Sequence, residues 1–243
     1  MIHDWKGLHI LNTRPQGQNK GLSQAIQDIG AIPIECPAIA IEPVEDNWTE
    51  NLGDLSRVGH AIFISTNAVH YFFDGLEARH VDWPTSIRVI AIGKATADAL
   101  ALRKIPVDGV PLSASSEYLL DLELLQNVEN QTVMIVKGEN GRDLLADTLK
   151  MRGAVVLPIA VYRRVVPATN QQYIQSLWHD DAIDVIVFTS EEAMHNLFCL
   201  FGKGAHAWLQ SKICLVKSER LATIAARFGL KKIVVSTDDN LKI

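Results

Sequence analysis

The stretch LNTRPQGQNKGLSQAIQDIGAIPIECP, residues 11–37, returns in outline as MIVKGENGRDLLADTLKMRGAVVLPIA, residues 134–160. Both run in the same order: the end of an apolar strand, a polar turn, an amphipathic helix, a glycine and an apolar exit. Gly30 and Gly153 stand 123 residues apart (153 − 30). A glycine just past the last helical turn accepts the left-handed backbone that closes a helix. Two further pairs follow. AIFISTNAVHYFF (61–73) resembles VIVFTSEEAMHNLF (185–198), with Ser65 and Thr189 124 apart (189 − 65). VIAIGKATADAL (89–100) resembles CLVKSERLATIA (214–225), with Gly93 and Lys217 again 124 apart (217 − 93). Three units recurring in order at nearly one offset mean two similar halves, and they predict two similar domains.

Between the helical patterns lie short apolar runs at 8–12, 60–65, 87–93, 132–138, 184–190 and 212–218. Each reads as a strand buried on both faces, and strands alternating with amphipathic segments predict βα units around parallel sheets. The fold class is therefore α/β, with two similar doubly wound parallel-sheet domains. Two exits differ from the rest. IPIECPAIAIEPVE (32–45) and LPIAVYRRVVP (157–167) are apolar and bounded by proline, which restricts the preceding residue to extended geometry. They are candidates for a pair of crossing strands between the domains.

Composition narrows the functions. Of the 243 residues 48% are apolar, and the net charge of −5 provides no global field to draw in nucleic acid. The three cysteines, Cys36, Cys199 and Cys214, form no CxxC or zinc spacing, which fits a reduced cytoplasmic protein. The N-terminal segment has no long apolar core of a signal peptide, and no run of about 18 apolar residues predicts a membrane span.

In order and spacing, LNTRP, GAIPIECPAIAIEP, FISTNAVHYF, AIGKATADAL, SASSEYLL, VKGENGRDLLADTLKMRGAVV, VYRRVVP and VFTSEEAMHNLF together resemble the uroporphyrinogen-III synthase family. KSERLATIAARFG resembles a variant of that family's last motif, in which many members carry Gly and Thr where this chain has Lys217 and Arg220. The resemblance implies two α/β domains joined by a two-stranded β linker: residues 1–37 with 166–243, and residues 42–160, with linker strands 38–41 and 161–165. It implies a monomeric hydro-lyase of tetrapyrrole biosynthesis. Such an enzyme cyclises hydroxymethylbilane, a linear tetrapyrrole with eight carboxylates. It inverts the terminal pyrrole ring as water is lost, and needs no cofactor or metal. The implied partners are that small molecule and, transiently, the preceding pathway enzyme; neither nucleic acid nor membrane is implied. Relatives usually run through one more helix, and DDNLKI (238–243) reads as its first turn.

The same resemblance gives Tyr162 a role as the catalytic acid that donates to the departing hydroxyl. A free phenol, with a pKa of about 10, carries its proton at neutral pH. The alternative is a strand tyrosine that only packs. Arg163 is the candidate carboxylate clamp, since a guanidinium fork binds carboxylates bidentately. It and Arg164 alternate across the strand, so one of the two is expected to be a solvated edge charge. The strand-to-helix turns are the remaining anion sites, because ligands bind at the C-terminal ends of parallel strands and helix N-termini present free N–H groups. The candidates there are Thr13, Arg14, Ser65, Thr66, Asn67, Thr96, Lys137, Gly138 and Thr189, the hydroxyl and amide side chains weighed against plain helix capping and the cations against plain solvated charge. For Ser190, followed by Glu191 and Glu192, capping is the better reading. His195 and Cys199, at i and i+4, are expected to pack in the core.

A second class stays open, a non-catalytic two-domain binder or sensor of small ligands. A nucleotide-dependent oxidoreductase is a third, disfavoured by the missing GxGxxG fingerprint.

Overall fold

A parallel strand cannot be reached by a tight hairpin, so each apolar run must be followed by a crossover segment that packs back on the sheet. The computed structural model describes residues 5–44, 48–141 and 143–236 and follows that rule. In chain order the elements are β1 (His9–Asn12), α1 (Lys20–Asp28), β2 (Ile32–Glu35), β3 (Ala40–Pro43), β4 (Val58–Phe63), α2 (Thr66–Ala78), β5 (Arg88–Ala91), α3 (Lys94–Leu102), α4 (Ser116–Leu120), β6 (Thr132–Gly138), α5 (Leu144–Met151), β7 (Val155–Val165), α6 (Gln171–His179), β8 (Val185–Phe188), α7 (Glu191–Phe201), α8 (His206–Ser211), β9 (Ile213–Val216), α9 (Glu219–Arg227) and β10 (Lys232–Val235). The expected turn at 238–243 lies outside the described residues.

The chain forms two units, residues 1–41 with 165–243 and residues 42–164. It passes from one to the other between Ile41 and Glu42, on β3, and between Arg164 and Val165, on β7.

The first unit is a parallel sheet in the order β10-β9-β8-β1-β2. Successive side chains of a strand point to opposite faces. Ile10 accordingly packs with Leu22 and Ile26 of α1, while Leu11 packs on the other face with Ile186, Met194 and Leu221. The pairing of β1 with β8 is locked by side chains at both ends. The His9 amide donates to the Asp184 carboxylate at 2.8 Å, and the Thr13 hydroxyl donates to the Val187 carbonyl at 2.7 Å.

The second unit is a sheet in the order β3-β7-β6-β4-β5, with parallel pairing from β7 through β5. A parallel bridge from Ile90 to Gly109 extends it past β5. Ile62, Ile90 and Ile135 meet Leu145 and Leu149 of α5 on one face. Phe63 meets an aromatic group on the other, edge-on to Phe72 at 5.5 Å and stacked on Phe73 at 5.6 Å. Fully burying each such side chain stabilises the fold by about 1.5–3 kcal/mol.

The glycines expected to close helices do so: Gly30, Gly153 and Gly229 sit at φ of +77°, +82° and +82° after α1, α5 and α9. Helix starts refine the repeat. Ser65 caps α2 and Ser190 caps α7, 125 apart (190 − 65), one residue more than the spacing to Thr189.

Candidate functional site

The expected site residues all lie at, or just beyond, the C-terminal ends of parallel strands. Thr13 and Arg14 follow β1, and Thr189 follows β8, in the first unit. Ser65, Thr66 and Asn67 follow β4, Thr96 follows β5, Lys137 and Gly138 end β6, and Tyr162 and Arg163 end β7, in the second.

In the second unit the chemistry converges on Tyr162. The register of β6 against β7 shifts here: Lys137 pairs with Ala160 and Gly138 with Tyr162, so β7 carries one extra residue, Val161. Such a bulge breaks the in–out alternation and re-aims a side chain. Val161 and Tyr162 are both buried in succession, at 0% and 4% exposure. The Glu139 amide donates to the Tyr162 carbonyl at 2.8 Å and pins the strand just past the bulge. The ring lies over Gly138. A Cβ on that glycine would sit 2.8 Å from Cε2 and Cζ of Tyr162, closer than real Cβ contacts allow. Tyr71 of α2 stacks beside it with ring centroids 6.1 Å apart.

The phenolic oxygen of Tyr162 accepts a hydrogen bond from the Ser65 hydroxyl at 3.1 Å. Ser65 is also the N-cap of α2, its oxygen accepting from the Ala68 amide at 3.0 Å. The order of donation is thus Ala68 N–H to Ser65, and Ser65 O–H to Tyr162. Tyr71 is held above the ordinary phenol pKa, first by burial and then by the nearby Glu42 and Asp74 carboxylates, so it stays a neutral neighbour.

The cations have partners. Arg163 is 3.4 Å from Glu42 of β3, and Lys137 is 3.8 Å from Asp143 at the start of α5. Arg164 is the more exposed of the two adjacent arginines. Lys137, with Lys150, Asp143 and Ser116, lines a cavity of about 430 Å³ above Ile64 and Ile135. Arg142 lies outside the described residues. Thr96 is 4% exposed in the first turn of α3. Thr66 and Asn67 are half-buried in the first turn of α2.

In the first unit Thr13 is fully buried and its hydroxyl braces β1 against β8, leaving no donor at the surface. Arg14 is half-buried, its amide held 3.1 Å from the Asn12 side-chain oxygen. Thr189 is half-buried beside Ser190, which caps α7 through the Ala193 amide as expected. His195 and Cys199 depart from expectation. Both are exposed, 3.7 Å apart, because their positions fall on the solvent face of α7 while Met194 and Leu197 take the core face.

Sequence reasoning missed Tyr71 and Glu42. The first had a signal, standing inside the FISTNAVHYF match one helical turn and a half past Ser65. Glu42 had none, since only the pairing of β3 with β7 brings it to Arg163. Among the described residues no cluster of three or more His, Cys, Asp or Glu is arranged to hold a metal, and no helix is long and apolar enough to cross a membrane.

Comparison with known proteins gives a consistent result. The family model described as Uroporphyrinogen-III synthase HemD matches residues 20–242. The uroporphyrinogen-III synthase of Salmonella typhimurium is 31% identical over 235 residues, covering 94% of this chain and 95% of that protein. That of Escherichia coli K12 is 29% identical with the same coverage. Among solved structures, uroporphyrinogen-III synthetase from Helicobacter pylori superposes with a TM-score of 0.63 at 14% identity, covering 96% of this chain and 94% of that one. A uroporphyrinogen III synthase variant from Thermus thermophilus superposes with a TM-score of 0.60 at 19% identity and the same coverage. At these identities the two structures speak to the fold, which is the α/β architecture described above.

Proposed function

Because this chain belongs to the uroporphyrinogen-III synthase family, we propose that it is the synthase itself, closing hydroxymethylbilane to uroporphyrinogen III with inversion of the terminal pyrrole and loss of water. The family match across residues 20–242 is the observation that carries this reading. The Ser65–Tyr162 hydroxyl pair supports the chemistry assigned to it.

Two tasks make up the reaction. The terminal hydroxyl must leave as water, and the chain must be curled so that the substituted carbon of the last pyrrole meets the resulting electrophile. Tyr162 performs the first, its phenol proton moving to the departing hydroxyl. The Ser65 O–H stays on the phenolic oxygen and stabilises the negative charge that develops there. Orientation performs the second, and positioning alone supplies about 7–11 kcal/mol in favourable cases. The substrate's carboxylates are met by Arg14, Lys137 and Arg163 as cations. Thr66, Asn67, Thr96 and Thr189 supply neutral donors, with the backbone at Gly138, while the one proton of the Ser65 hydroxyl is committed to Tyr162. Arg163 exchanges Glu42 for a substrate carboxylate as it engages. Thr13 serves by holding the turn that carries Arg14.

In this reading residues 1–37 with 166–243, and residues 42–160, are the two lobes, and 38–41 and 161–165 are the strands that connect them. The enzyme works as a cytoplasmic monomer and receives a short-lived substrate from the preceding enzyme. The test is incubation with freshly made hydroxymethylbilane and separation of the product isomers. Uroporphyrinogen III in excess of isomer I is the expected result. Isomer I alone is the product of spontaneous closure and would make the chain a binder of the tetrapyrrole.

A further inference from the structure

The first unit has a cavity that the ring-closing chemistry does not use. It holds about 560 Å³ and is formed where α7 and α9 end, beside α8. Helices in a parallel layer run opposite to the strands, so helix ends lie at the sheet edge away from Thr13, Arg14 and Thr189.

Its wall is aromatic. Phe198 sits with its ring centroid 5.3 Å from Phe228 and 5.0 Å from His206. His206 is fixed by donating its Nε2–H to the Phe198 carbonyl at 3.1 Å. The rim is cationic, carrying the exposed side chains of Lys203 and Arg227, and neither forms an ion pair among the described residues. Among the described residues no carboxylate lines the cavity, in a chain with 28 Asp and Glu against 23 Lys and Arg. Gly202 turns the rim at φ +71°, and no atom of the described residues lies within 4 Å of where its Cβ would be. Cations at helix C-termini have an ordinary use in offsetting the macrodipole. That use requires neither a cavity nor an aromatic wall.

We propose that this cavity binds a small planar aromatic anion, its ring laid against the partly exposed Phe228, which Phe198 backs, and its charge met by Lys203 and Arg227. A bare anion would gain nothing from the accessible part of Phe228, and a neutral aromatic would gain nothing from the two solvated cations at the rim. One ligand carrying both features satisfies both surfaces. Its size class fits, since small-ligand pockets hold about 300–1,000 Å³.

Cys199 lines the same cavity and is exposed, whereas Cys36 and Cys214 are buried, with burial pushing both thiols up to about 12. Alkylation of the 243-residue chain by N-ethylmaleimide therefore reports on Cys199, with Cys199→Ser as the blank. The probe is 8-anilinonaphthalene-1-sulfonate. It should slow Cys199 alkylation about fivefold or more at saturation, while inorganic sulfate and neutral 1-naphthalenemethanol at the same concentration should not. Arg227→Glu and Lys203→Glu, both at exposed positions, should each weaken protection about fivefold or more, and Arg227→Lys should retain it. Equal protection by sulfate, equal protection by the neutral aromatic, or protection indifferent to both charge reversals would each overturn the proposal.

Discussion

The Ser65 hydroxyl does two jobs at once: it receives the Ala68 amide at the start of α2 and donates to the phenolic oxygen of Tyr162 at 3.1 Å, across 97 residues of chain. The helix cap and the candidate acid are therefore one hydrogen-bonded unit, and the predictions that follow separate their contributions.

Tyr162→Phe keeps the ring that packs on Gly138 and Tyr71 and removes only the hydroxyl. Turnover of hydroxymethylbilane should fall about fivefold to a hundredfold, toward the lower range of general-acid contributions. The melting temperature should stay close to that of the parent protein. Unchanged turnover would leave the tyrosine a packing residue.

Ser65→Ala removes the cap and the donor together. It should cost about 1 kcal/mol of stability, as a lost N-cap does, and it should also slow turnover. Ser218→Ala, which removes the cap of α9, is the control: it should cost similar stability without the catalytic loss. In the Tyr162→Phe background Ser65→Ala should slow turnover no further, since the oxygen it serves is gone. Additive losses in that double variant would mean that Ser65 acts on its own.

Gly138→Ala puts a methyl group where the Tyr162 ring lies, 2.8 Å from two ring carbons. The ring must move, and with it the phenolic oxygen. The expectation is a fall in kcat comparable to that of Tyr162→Phe although the hydroxyl is still present, read by steady-state kinetics. Wild-type kcat in this variant would show that the position of the phenol is unimportant.

His60 is expected to make the fold sensitive to acid. It is 4% exposed, and neither ring nitrogen has a hydrogen-bond partner among the described residues. Burial first, and then the Arg88 guanidinium, hold its pKa below the usual 6.5, against the opposing pull of Asp108. The unfolded chain thus binds a proton at a pH where the folded chain does not, so stability rises with pH through this window and is lost as pH falls below 6.5. His60→Leu should flatten the dependence of unfolding free energy on pH between about 7.5 and 5.5, and at the upper end it should stabilise by about 1 kcal/mol by removing an unsatisfied polar group. Denaturant titrations at both pH values measure this. A parallel slope in wild type and variant would place the acid sensitivity elsewhere.

The sequence reading reached most of the secondary structure because the signals involved are local. Apolar runs flanked by turns became β1, β4, β5, β6, β8 and β9, and Gly30, Gly153 and Gly229 closed the helices they were expected to close. Family motifs pointed to Tyr162, Ser65 and Gly138 as separate residues. Their contact was not legible, because it depends on the bulge at Val161, which composition does not mark, and on the alignment of β4, β6 and β7. Thr13 shows the opposite case. Its position after β1 is that of a ligand donor, yet Val187 takes the hydroxyl, a partner 174 residues away.

By itself the sequence determined the modules: strand, turn, helix and strand, twice over, with their starts and stops. Which modules share a sheet is not carried by that local pattern: the family resemblance implied a grouping, and the tertiary structure decides it. The first unit joins β1 and β2 from the first half of the chain to β8, β9 and β10 from the second, and the second unit joins β6 and β7 to β4 and β5. The repeats therefore exchange partners, and a cut at the middle of the chain would divide both sheets. The physical reason is that any parallel strand buried on both faces offers the same local apolar pattern to every neighbour. Partner choice is made by contacts between residues far apart in the chain, such as His9 with Asp184 and Gly138 with Tyr162, and these exist only once the sheets have formed.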